Sequence, residues 1–162
     1  MPWQRTPHTR VLVEISMDEQ VIRTPLVKKI IHIYGEPIND EVKIYALEEI
    51  IAEKLRAILQ HIATLENRGW SRSRARDYYD LWRIFNAYKQ QINFTDFLPL
   101  LKQKCDSKNV SFKNADDFFQ KEMLAYVKKT WQQWLEQLVP DLPTFDTVIE
   151  GLRPQISELL DK

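Results

Sequence analysis

Residues 44–85, IYALEEIIAEKLRAILQHIATLENRGWSRSRARDYYDLWRIF, constrain this chain more than any other stretch. They read as two amphipathic helices joined by a basic, turn-rich connection. At about 100° per residue, Leu47, Ile50, Ile51, Leu55, Ile58 and Ile62 fall on one face of the first helix. Lys54 lies inside that face, while Glu49 and Arg56 are predicted to point the other way. In the second helix the stripe is Leu81, Ile84, Phe85 and Tyr88, with Asp77 inside it and Asp80 at its edge. An ammonium and a carboxylate set among apolar positions are costly unless paired or functional. The same placement fits a structural ion pair holding two helices in register, or a lysine that snorkels past the apolar edge. The spacing predicts that Lys54 and Asp77 meet.

A chain of 162 residues suits one domain. Its formal net charge is zero, so nucleic acid would have to be held by local patches and not by a global field. The single cysteine, Cys105, excludes an internal disulfide and a cysteine-based zinc site. His8, His32 and His61 have no metal-ligand spacing, and His61 at the edge of the first helix reads as packing. The N-terminus has no apolar signal region and no apolar run approaches a membrane span. A cytoplasmic protein with no membrane partner is expected.

Residues 10–17, RVLVEISM, alternate as a strand does. Residues 21–33 suggest one or two further strands interrupted by Pro25, and residues 42–45 a short strand. The pattern then turns helical. The first helix is expected to stop at Gly69, and Ser71 or Ser73 to cap the next. Further helices are predicted from Asn93 or Thr95, over 114–129, over 128–139 and over 145–160, with a possible kink at Pro154. Their aromatic spacing reads as helix–helix core. The fold class is therefore α+β: a small, mostly antiparallel N-terminal sheet followed by a predominantly helical bundle.

Two further features bear on chemistry. Glu14 stands mid-strand, either on a solvated face or as an oxygen ligand for a divalent metal. Arg72, Arg74 and Arg76 alternate just before Asp77, at a helix start where positive charge opposes the helix dipole. That misfit, beside Trp70, suits an anionic partner such as a triphosphate or RNA phosphate, although a solvated helix end fits as well.

The stretch from VLVEIS to IYALEEIIAEKLRAIL and RARDYYDLW resembles the AbiEii/AbiGii nucleotidyltransferase toxin family, within the DNA polymerase β-like nucleotidyltransferases. The likeness is close over residues 10–88 and looser through the tail, where LPTFDTVIEGL fits the family's ending. It implies a toxin–antitoxin or phage-defence role and magnesium-dependent transfer of a nucleoside monophosphate from an NTP to an acceptor such as tRNA. It also implies a cognate antitoxin. By resemblance, Glu14 matches a metal-binding carboxylate, Lys54 the lysine that contacts the triphosphate, and Asp77 and Asp80 the final catalytic motif. Residues 1–45 would be the remnant of the nucleotidyltransferase sheet and 46–162 the helical region of one compact domain. The family's first motif, a Gly-Ser helix start with two strand carboxylates, has no match in the thirteen residues before Glu14. The expectation is thus an N-terminally incomplete enzyme, inactive alone, with possible self-association through its first strands. The rival expectation is a non-catalytic scaffold that binds an antitoxin, a partner chain or RNA.

Overall fold

A computed structural model describes residues 19–30, 40–69 and 73–160. The predicted strand at 10–17 lies outside them, as do Glu14, Arg72 and the end of the strand-like stretch predicted at 21–33. Residues 19–25 form a strap without regular structure, and Pro25 immediately precedes the first strand. Proline has no N–H to give to a ladder, so the pairing starts after it. Strand β1 (Leu26–Lys29) pairs antiparallel with β2 (Glu41–Ile44), Leu26 opposite Ile44 and Lys29 opposite Glu41. Among the described residues this is the sheet, and every one of its eight positions is exposed.

The helical body follows as α1 (Leu47–Arg68), α2 (Ala75–Tyr88), α3 (Phe97–Asp106), α4 (Lys121–Leu135) and α5 (Phe145–Leu160). The architecture is α+β, as the sequence pattern predicts. Helix α1 packs against α2 and α3, and α2 also lies against α4 and α5. One core runs through all five: Ile51, Leu55 and Ile58 of α1, Tyr78 and Leu81 of α2, Leu101 of α3, Met123 of α4, and Leu152 and Ile156 of α5. Burying a side chain of this kind is worth about 1.5–3 kcal/mol, so the helical body carries the stability. The Tyr78 hydroxyl donates to the Phe118 carbonyl at 2.6 Å inside this core.

Helix α1 ends where glycine allows it. Gly69 adopts φ 71° and its N–H returns to the Leu65 carbonyl. Gly151 serves a close approach instead, since a Cβ there would stand 2.9 Å from Trp82 Nε1.

Several expectations are corrected. Tyr88 is exposed, because the apolar stripe of α2 moves to Tyr78 and Tyr79 at its start. Helix α2 begins after Arg74 and not on a serine cap, although Ser73 Oγ still accepts the Ala75 N–H. Helix α3 starts at Phe97, after Asp96 turns into the left-handed region. Residues 114–129 do not form one helix. A capping box on Asn114 and Asp117 closes a short 3-10 turn (Ala115–Phe119), and α4 starts two residues later. Of the separate helix predicted at 128–139, residues up to Leu135 are the end of α4 and the rest is a turn; Trp134 and Leu138 are exposed. Helix α5 has the predicted bounds and continues through Pro154.

Candidate functional site around Lys54

Lys54 sits two turns into α1, one turn before Ile58, and looks across to the first turns of α2. Asp77 and Asp80 are three residues apart on α2 and so share a face. Lys54 Nζ lies 3.2 Å from Asp77 Oδ1 and 2.7 Å from Asp80 Oδ2. The two charges expected to meet therefore do. The other oxygen of Asp77 accepts from Arg74 Nη1 at 2.9 Å, and Arg74 Nη2 in turn contacts the ring of His61 on α1. The result is a ladder, His61–Arg74–Asp77–Lys54–Asp80, that zips α1 to α2. Asp77 also lies in the first turn of its helix, where the backbone dipole favours negative charge.

The cluster is half-open. The side chains of Lys54, Asp77 and Asp80 are 20%, 17% and 44% exposed. Burial pulls the Lys54 ammonium towards neutrality, but the charge of Asp77 and the hydrogen bond and charge of Asp80 outweigh it. The net pKa lies above the usual lysine value. Lys54 is a held cation and not a proton carrier near neutral pH. Next to it opens a cavity of about 420 Å³, bounded by Glu19 and Val21 of the strap, Tyr45, the Glu49–Ala57 stretch of α1, Arg74, Asp77 and Lys104.

The arginine run divides. Arg74 is inside the ladder, whereas Arg76 is exposed and lays its guanidinium 5.6 Å from the centroid of the Trp134 ring on α4. Arg76 therefore does not join Lys54. Arg72 and Glu14 lie outside the described residues.

A second charged cluster on α1 escaped the sequence reading. Glu49 and Arg56, predicted to face outwards, are buried at 2% and 6% exposure. Glu49 Oε1 lies 2.6 Å from Lys104 Nζ of α3, and Glu49 also accepts the backbone N–H groups of Ile22 and Arg23. Burial pushes the Glu49 pKa up, but Lys104 and those two N–H groups outweigh it and hold the carboxyl below its usual value. Arg56 pairs with Glu53 on its own helix and with Glu19 of the strap at 3.0 Å. A signal for this cluster was present. Lys104 stands between Leu100, Leu101 and Cys105 in the apolar stripe of α3, the anomaly that marks Lys54 on α1.

Glu14, the metal-binding carboxylate implied by the resemblance, lies outside the described residues. Among the described residues no three His, Cys, Asp or Glu side chains gather where a metal ion could be held. A divalent cation between Asp77 and Asp80 would have to stand where the Lys54 ammonium already stands. No described helix is long and apolar enough to cross a membrane.

Against known proteins, one family model matches: the nucleotidyl transferase AbiEii toxin of type IV toxin–antitoxin systems, over residues 2–151. No curated protein and no solved structure matches the chain.

Proposed function

We infer the function from one premise: the chain belongs to the AbiEii nucleotidyl transferase toxin family, whose model spans residues 2–151. We propose that it supplies the lysine side of an NTP-dependent nucleotidyl transfer to an RNA acceptor such as tRNA, within a toxin–antitoxin pair. Lys54 contacts the triphosphate, and Asp77 and Asp80 hold its ammonium in place. The observation that carries this reading is the Lys54 ammonium itself. It has three N–H donors; Asp77 and Asp80 take two, at the wall of a cavity of about 420 Å³. Among the described residues nothing takes the third, which is left for a phosphate oxygen. Arg76, exposed at the start of α2, is available to phosphate outside the cavity.

Transfer also needs paired metal carboxylates and a cradle for the β- and γ-phosphates. This sequence carries no Gly-Ser motif with two strand carboxylates before Glu14, so the 162-residue chain is proposed to be inactive alone. Two assays test the reading. Equilibrium dialysis with ATP is expected to show binding that Lys54→Ala weakens about ten- to a hundredfold, since a hydrogen bond to a charged group is worth about 1.5–3 kcal/mol. Incubation with labelled NTPs, magnesium and total tRNA is expected to give no labelled RNA. Labelling abolished by Lys54→Ala would overturn the proposed inactivity, and ATP binding indifferent to residue 54 would overturn the role of the lysine.

The non-catalytic scaffold has its own support. Leu26, Val42 and Ile44, on one face of the hairpin, are all 41% exposed or more, and exposed apolar clusters mark interaction surfaces. An antitoxin, or a second copy of the chain, would cover them. Sedimentation velocity at micromolar concentration separates the two: self-association that Leu26→Lys abolishes favours a second copy.

A further inference from the structure

Residues 19–23 run along α1 and α3 before the chain enters the hairpin, and two buried side chains from different helices grip their backbone. Glu49 Oε1 accepts the Ile22 N–H at 3.1 Å, and Oε2 accepts the Arg23 N–H at 3.0 Å. Lys104 Nζ donates to the Gln20 carbonyl at 2.5 Å and meets Glu49 at 2.6 Å. Both side chains are almost wholly enclosed, at 2% and 3% exposure. The strap held in this way supplies Glu19 and Val21 to the wall of the cavity that Lys54 also lines.

An ion pair that served only to join α1 to α3 would need one carboxylate oxygen. Here both oxygens reach the strap, and the ammonium reaches it as well. An N–H or C=O that loses its partner on being buried is costly, so the backbone of residues 20–23 is held at this depth by the groups that residues 49 and 104 offer, beside the side-chain contacts of Glu19 and Arg23. We propose that Glu49 and Lys104 are positioning residues, a clamp that fixes residues 20–23 against the helices and so builds one wall of the Lys54 cavity. The consequence for nucleotide rests on the function proposed above; the clamp itself does not.

The test uses the full chain and the double exchange Glu49→Lys/Lys104→Glu. This variant keeps opposite charges between α1 and α3 but removes the acceptor of the Ile22 and Arg23 N–H groups and the donor to Gln20. Hydrogen exchange read by mass spectrometry is expected to show α1 and α3 protected as in the parent, with the amides of Ile22 and Arg23 exchanging at least tenfold faster. Unchanged protection at Ile22 and Arg23 would overturn the clamp. Should the exchanged variant not fold, Glu49→Gln decides, because it keeps the side-chain shape and replaces one acceptor oxygen by an NH2 group. Faster exchange confined to Ile22 and Arg23 supports the clamp, and parent-like exchange there overturns it. Dialysis with ATP completes the test. Binding equally tight in parent and in a variant with a released strap would show that the strap does not shape the cavity. Absence of ATP binding in the parent would sink the nucleotide reading while the clamp stood on the exchange data.

Discussion

Helix α1 carries two lysine–carboxylate clusters, and they differ in a way that separates holding from acting. On its α2 side, Lys54 is shared between two aspartates, with side chains from 17% to 44% exposed. On its α3 side, Glu49 and Lys104 are 3% and 4% exposed at the side chain, and their polar atoms are committed to each other and to the strap backbone. The closed cluster borders the same cavity, but with polar atoms already engaged by each other and by the strap. The open cluster keeps a donor beside a cavity and keeps Arg74 on Asp77, so its charges stay in place if one partner shifts. The same residue types thus build a fixture on one side of the helix and a candidate site on the other.

The largest expected effect tests that contrast directly. Lys104→Met strands the Glu49 carboxylate in a buried setting. Removing one member of such a pair typically costs about 3–5 kcal/mol. Lys54→Met is expected to cost only about 1 kcal/mol, because Asp77 retains Arg74 and Asp80 is open to water. Urea denaturation of both variants against the parent reads the difference. Equal losses would erase the distinction between fixture and site.

The second effect is in pH. The Glu49 carboxyl is held below its ordinary value of 4.5, so it stabilises the fold above that pH. That contribution fades as pH falls from 4.5 through the lowered folded value. The Lys54 pKa is raised above 10.5, so its contribution is complete below pH 10.5 and fades as pH rises past the folded value. Glu49→Gln should therefore flatten the acid limb of the stability profile, and Lys54→Met the alkaline limb. Thermal melts between pH 3 and pH 12, at conditions where the parent refolds, check both. An acid limb unchanged in Glu49→Gln would assign acid unfolding to other carboxylates.

The two clusters were unequally legible in the sequence. Lys54 and Asp77 announced themselves because each interrupts a long, regular apolar stripe, and both interruptions sit within one helical hairpin. Glu49 and Arg56 were hidden because the helical wheel gives the apolar stripe one side only. Yet α1 is buried over a wider arc, by α2, by α3 and by a strap that carries no periodic signal at all. Their partners lie far along the chain, with Lys104 fifty-five residues after Glu49, and no local pattern reports such a pairing. The helix ends followed the same rule. Gly69 was readable because its φ demands glycine, while the capping box at Asn114 and Asp117 split an apparently continuous helix through hydrogen bonds that periodicity does not encode.

A third effect concerns Cys105, which packs beside Lys104 in α3. Burial pushes its thiol up to about 11, so the thiolate that reacts with alkylating reagents is scarce at neutral pH. Iodoacetamide is expected to label it only as fast as the fold opens. Lys104→Met should speed that labelling about a hundredfold or more, whereas Lys54→Met, at about 1 kcal/mol, should speed it only about fivefold. Labelling equally fast in all three proteins would mean that α3 opens independently of the closed cluster.

The smallest expected effect separates two arginines that the sequence presents as one run. Arg74 lies within the ladder and steadies Asp77 through a 2.9 Å contact. Arg76 is exposed and stacks over Trp134, a ring that is itself 38% exposed. An exposed cation–π contact is worth about 0.5–1 kcal/mol, so Arg76→Ala should lower stability by no more than that and leave the Lys54 cluster intact. Arg74→Ala should do more, since Asp77 would then share Lys54 with Asp80 and have no other cation within reach among its described contacts. Denaturation midpoints give the first comparison, and ATP dialysis gives the second. Under the proposed function, Arg74→Ala weakens ATP binding through the displaced lysine, and Arg76→Ala does not. If Arg76→Ala weakened ATP binding as much as Arg74→Ala, the triphosphate would have to reach beyond the cavity to the α2–α4 face, and the division of the basic run into an inner and an outer arginine would fail.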